Sequence, residues 1–79
     1  MKPTLKLHRD KFESGVYRSD VWGSYYAHFK FEISNWTATI RKASDASFSR
    51  DGEIIRYAGV WRTLREANEE ARYILAGMV

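Results

Sequence analysis

The chain has 79 residues, no cysteine, twelve aromatic side chains, and thirteen Lys/Arg against ten Asp/Glu for a formal net charge of +3. A chain of this length makes one domain that buries only about 60% of its unfolded surface, and without cysteine it has no disulfide or thiolate-metal staple. No window approaches the roughly 18 apolar residues of a membrane span, and charges interrupt MKPTLKLHRD where a secretion signal needs an apolar run, so a cytoplasmic protein with no membrane partner is expected.

In chain order, Thr4 to His8 alternates with Leu5 and Leu7 on one side, and Gly15 to Arg18 is a second short extended segment. From Tyr25 to Ile33 the alternation is strong: Tyr25, Ala27, Phe29, Phe31 and Ile33 share one side, and Tyr26, His28, Lys30 and Glu32 the other. Ser34-Asn35 then reads as a two-residue turn that sets Ile33 opposite Trp36, Phe31 opposite Ala38 and Phe29 opposite Ile40, with Thr37, Thr39 and Arg41 outward. Ser44 to Gly52, SDASFSRDG, is a polar loop, and Glu53 to Ala58 is a further strand with Ile55 and Tyr57 inward and Arg56 outward. Thr63-Leu64-Arg65-Glu66 is a capping box, in which the Thr63 hydroxyl takes the Glu66 amide and the Glu66 carboxylate reaches back to the Thr63 amide. In the helix that follows, Leu64, Ala67, Ala71, Ile74, Leu75 and Met78 form one apolar stripe, and Gly77 ends it. The expected fold is α+β: an antiparallel sheet of three to five strands packed on one C-terminal α-helix. It forms a single domain over 1–79, with extended segments in 1–24, the sheet in 25–59 and the helix in 63–77.

No constellation for catalysis stands out. His8 and His28 have no metal-ligand spacing, the loop aspartates do not fit a calcium loop, and neither a phosphate-cradling glycine loop nor a nucleophile elbow is present. Neither enzyme activity nor a cofactor or metal is expected. Residues 1 to 62 carry eleven Lys/Arg against seven Asp/Glu, whereas 63 to 79 carry two against three, so an anion-binding surface belongs to the sheet and not to the helix. The expected outer face gathers Tyr26, His28, Lys30, Thr37, Thr39, Arg41 and Arg56 with Glu32 as its one carboxylate. Lys30, Thr37, Thr39, Arg41 and Arg56 are then the candidates for reading a partner, and Arg18, Lys42 and Arg50 for contacting a phosphate backbone. A solvated strand face carries the same residue types.

WTATIR, residues 36 to 41, and GVWRTLREA, residues 59 to 67, resemble the three-stranded-sheet-plus-helix DNA-binding domain of plant ethylene-response factors and of the arm-binding domains of phage-type tyrosine integrases. The matching positions are Trp36, Ala38, Ile40 and Arg41 on the middle strand, and Gly59, Trp61, Thr63, Glu66 and Ala67 where the last strand enters the helix. The resemblance covers residues 25 to 78 and implies that the sheet enters the major groove of duplex DNA. No integrase catalytic domain follows, so a free-standing phage or mobile-element accessory module is the form it implies. The second reading is a protein-binding module, such as a phage-encoded, anti-CRISPR-like inhibitor of a host nucleic-acid-binding complex. Its anchors would be Trp22, Tyr26, Phe48 and Tyr73, because aromatics interspersed with charges suit an interface. Homodimerisation stays open because the core is small.

Overall fold

The computed structural model describes residues 4–47 and 50–79. Five strands, β1 (Leu7–Arg9), β2 (Val16–Ser19), β3 (Tyr25–Glu32), β4 (Asn35–Lys42) and β5 (Ile54–Trp61), form one antiparallel sheet in the order β1-β2-β3-β4-β5. A short 3₁₀ turn (Ala43–Asp45) follows β4, and helix α1 (Leu64–Met78) packs across β3, β4 and β5. This is the α+β architecture expected from the alternation of residues 25–41 and the stripe of residues 64–78. No helix among the described residues is long and apolar enough to cross a membrane.

The core lies between sheet and helix. Ala27, Phe29, Ala38 and Ile40 meet Ala67, Ala71 and Leu75 there, all fully buried. Alanines on both elements let the backbones approach closely, so Phe29 and Leu75 fill the remaining volume. Asn68 sits within the apolar stripe and is buried as well. Its Oδ1 accepts from Leu5 N at 2.7 Å and its Nδ2 donates to Leu5 O at 3.0 Å. One amide side chain thus satisfies both backbone groups of Leu5 and seats the Leu5 side chain in the core, as a strand partner would.

Thr63 caps α1, with its hydroxyl accepting from Glu66 N at 3.1 Å. The same hydroxyl donates to Glu66 Oε1 at 3.0 Å, so the glutamate closes the box on the Thr63 side chain and not on its amide. Gly77 does not end the helix: it lies inside the last turn, and Val79 N caps by donating to Leu75 O at 3.2 Å.

Two register expectations are corrected. The β3–β4 turn is Ile33-Ser34, not Ser34-Asn35, and it pairs Phe31 with Trp36, Phe29 with Ala38 and Ala27 with Ile40. A slip of two residues keeps every side chain on its expected face, so the apolar pattern cannot distinguish the two registers. In β5 the expected phase fails because two bulges interrupt the ladder. Ala38 pairs with Gly59 but Thr39 with Tyr57, and Ile40 pairs with Arg56 but Arg41 with Ile54, leaving Ala58 and Ile55 as the extra residues. Ile54, Tyr57 and Val60 therefore stand on the outer face at every third position, and Arg56 stands opposite the core residue Ile40, on the helix side. The strand also runs three residues past Ala58, through Gly59 at φ 126, a conformation that glycine tolerates.

Candidate functional site

The outer face of the sheet, expected to be an open basic surface, is closed over its first half by the segment that follows β4. Val16 (1% exposed), Tyr26 (4%), His28 (7%) and Thr39 (4%) are all buried on this side. The residue that closes it is Asp51. Its Oδ1 accepts from Arg18 Nε at 2.6 Å and from the Tyr26 hydroxyl at 2.9 Å. Its Oδ2 accepts from Arg18 Nη2 at 3.0 Å and lies 3.3 Å from His28 Nε2. Arg18 and Asp51 thus form a two-bonded guanidinium–carboxylate fork, the strongest geometry available to such a pair.

The network extends in both directions. Arg18 Nη1 donates to Asp10 Oδ1 at 2.7 Å, while Asp10 Oδ2 accepts the amides of Phe12 and Glu13 at 2.9 and 2.5 Å and so shapes the turn between β1 and β2. Gly52 N donates to the Tyr26 hydroxyl at 2.9 Å, and Gly52 O accepts from Arg41 Nη1 at 3.0 Å. Arg41 Nε donates to Thr39 Oγ1 at 3.2 Å. Gly52 is buried, and a Cβ on it would run into the Lys42 carbonyl, so only glycine lets the segment lie this close to β4.

These contacts set the ionisation of the site. Hydrogen bonding from Arg18 is the main cause that brings Asp51 from the ordinary 3.8 down to about 2, against a desolvation effect in the other direction. The same carboxylate raises Arg18 above its already high value. Asp10 is lowered, chiefly by Arg18. His28 is lowered because burial disfavours its charged form more than Asp51 favours it, and Tyr26 is raised by burial. At neutral pH the cluster holds Arg18 as a cation, Asp51 and Asp10 as anions, and His28 neutral.

The residues expected to read a partner are therefore divided. Arg18, Arg41 and Thr39 bind within the molecule, and Tyr26, expected as an aromatic anchor, is an internal hydrogen-bonding residue. Lys30 stays exposed, 3.6 Å from Glu13, and Thr37 is half-buried beside it. Lys42 and Arg50 are exposed, and Arg56 is exposed away from Arg41 and Lys30. Trp22 is half-buried beneath the Arg72 guanidinium, 5.3 Å from its ring centre, whereas Tyr73 is 76% exposed. Phe48 lies outside the described residues. A cleft of about 700 Å³ opens between the Asp10–Glu13 turn and the residues Ala46, Ser47, Arg50 and Asp51, but Asp10, Arg18 and Asp51 on its wall are already bound to one another. No group of three or more His, Asp or Glu among the described residues is placed to hold a metal ion.

A second surface, not expected from the sequence, stands at the end of the β3–β4 hairpin. Ile33, the first turn residue, has φ 60 and is 100% exposed. Phe31 and Trp36 lie behind it with ring centres 5.1 Å apart, and Tyr17 meets Trp36 at 5.7 Å. Phe31 remains 44% exposed. Gly15, at φ 77, lets the β1–β2 turn close against Phe31, since a Cβ there would approach Phe31 Cβ to 3.2 Å.

No protein family, curated protein or solved structure matches the chain.

Proposed function

We propose that this is a non-enzymatic module that binds another protein, with the hairpin end formed by Ile33, Phe31 and Trp36 as its anchor. Ile33 is the observation that carries the reading. A left-handed backbone costs a β-branched residue on the order of 1 kcal/mol, and primed hairpin turns ordinarily place glycine or asparagine at such a position. Folding gains nothing from the side chain, which touches only solvent. A fully exposed isoleucine at the hairpin end, next to a partly exposed Phe31 packed on Trp36, instead offers apolar surface of the kind buried in the core of protein interfaces. An inhibitor that covers a host complex, the anti-CRISPR-like role, needs no chemistry beyond such a surface. The internal pairing of Arg18 and Arg41 supports the same reading, because it takes two cations away from a phosphate track.

Ile33→Asn separates binding from folding. The variant is expected to melt higher than the parent, by roughly 1 kcal/mol of added stability. It should also lose a stoichiometric protein that the parent retains in nuclease-treated affinity capture. Equal capture by both proteins refutes the anchor. Duplex DNA is the second reading, favoured by the packing of α1 across β3, β4 and β5, the arrangement implied by the sheet-plus-helix resemblance. A partner released by the nuclease, together with a mobility shift on duplex DNA at about 50 mM salt, decides for it.

A further inference from the structure

The sheet has two edges of unlike character. β1 spans three residues, and His8 in it pairs with Asp20. β5 spans eight residues and, among the described residues, has no strand beyond it. Among the described residues, no hydrogen bond other than those with β4 reaches the backbone of Ile54 to Trp61. Along this edge Ile54 is 39% exposed, Ile55 43%, Tyr57 66% and Val60 60%. Long apolar edges invite a further strand, and a free edge is usually shortened, bent or charged to prevent it. The two bulges and Arg56 shield β5 in part, yet they also gather Ile54, Tyr57 and Val60 into one outward row.

We propose that the free edge of β5 receives an extended segment of an acidic protein as a sixth strand, its apolar side chains beside Ile54, Tyr57 and Val60 and its carboxylates facing Arg56, with Arg62 adding positive charge just past the end of the strand. This rests on the reading that the partner is a protein. Charge selects the occupant. Lys42, Arg50, Arg56 and Arg62 form no ion pair among the described residues, and Glu53 is the one carboxylate within β5 or next to it in sequence. A second copy fits less well. The antiparallel register that joins the apolar rows is centred on Tyr57, which brings two Arg56 side chains together on one face of chains that each carry +3. A strand added here uses backbone bonds for affinity and alternate side chains for selection.

The test uses a blocked ten-residue peptide of alternating valine and glutamate, with a valine–lysine version and a fully N-methylated version as controls. It is titrated into the whole protein at neutral pH and followed by backbone amide NMR and hydrogen exchange. The valine–glutamate peptide is expected to shift and protect amides of Ile54 to Trp61. Lysine for glutamate, N-methylation, or the double variant Arg56→Glu/Arg62→Glu should each weaken binding at least about tenfold, a difference of roughly 1.4 kcal/mol. Both arginines are exposed, and an unchanged melting temperature checks that the double variant is folded. Equal binding of the lysine peptide overturns the proposal, as does protection confined to other strands or no binding at all. So does a concentration-dependent dimer with β5 amides already protected, or protection of those amides by duplex DNA alone. Capture of a protein partner that survives the double variant overturns the edge site while leaving the protein-binding reading in place.

Discussion

On the α1 side the sheet is closed by hydrocarbon packed on hydrocarbon, with Asn68 as its polar exception; on the opposite side it is closed by a carboxylate set among two arginines, a tyrosine and a histidine. Both faces bury β3 residues that alternate along one strand, Phe29 inward and His28 outward. They respond to the solvent differently. Apolar burial is indifferent to pH and forgiving of direction, while the Asp51 cluster depends on protonation and on atoms held within about 3 Å. A domain this small gains a second buried layer in this way without a second set of large apolar side chains.

The largest effect should come from the apolar face. Phe29→Ala is expected to lower unfolding stability by about 3–5 kcal/mol in urea titration, by nearly the same amount at pH 4 and at pH 7. Asp51→Asn should cost less, about 2 kcal/mol at pH 7, because Arg18 keeps Asp10 and partial solvent when the fork is broken. This loss should be pH-dependent. The folded-state pKa of Asp51 lies below its ordinary value, so its contribution is complete above about pH 4 and fades as pH falls from 3.8 towards about 2. After allowance for solvent screening that contribution amounts to about 1–2 kcal/mol. Parent and variant should therefore converge in acid titrations of the melting temperature, and a gap that persists at pH 2 would show that Asp51 acts by shape and not by charge. The smallest effect belongs to His28. Its folded-state pKa is lowered by burial, so the unfolded chain takes up the proton more readily and stability should decline gently as pH drops below 6.5. His28→Gln should flatten that slope between pH 6.5 and 5 while leaving the Asp51 transition in place.

What the sequence made legible follows the range of the interactions. Local alternation determines β3, β4 and the faces of Tyr26 through Arg41, and the Thr63 cap and the alanine-rich stripe determine α1. The β3–β4 register escaped because two registers differing by two residues bury the same faces. Turn chemistry would have to choose between them, and here it chooses against residue preference by setting isoleucine at positive φ. The phase of β5 escaped because adjacent isoleucines are compatible with either face and the bulges are set by the partner strand. In the sequence Asp51 stands inside the polar loop Ser44 to Gly52, whereas in the fold it bonds to Tyr26 and Arg18, 25 and 33 residues away. A clue was present in the composition. Arg18 and Arg41 on alternating strands require counter-charges or water, and the loop carries carboxylates within reach. Asn68 gave no such clue, since one polar residue in an apolar stripe ordinarily marks the edge of the stripe.

The pair formed by Leu5 and Asn68 spans 63 residues of a chain of 79. It sets an order on events at the ribosome. While the chain is being made, the strands can pair in sequence as each hairpin emerges, but Leu5 has no place in the core and its backbone no partner until α1 has left the exit tunnel. A helix synthesised after the whole sheet therefore locks the segment ahead of β1, and a chain that stops short of residue 68 should hold a paired but open sheet.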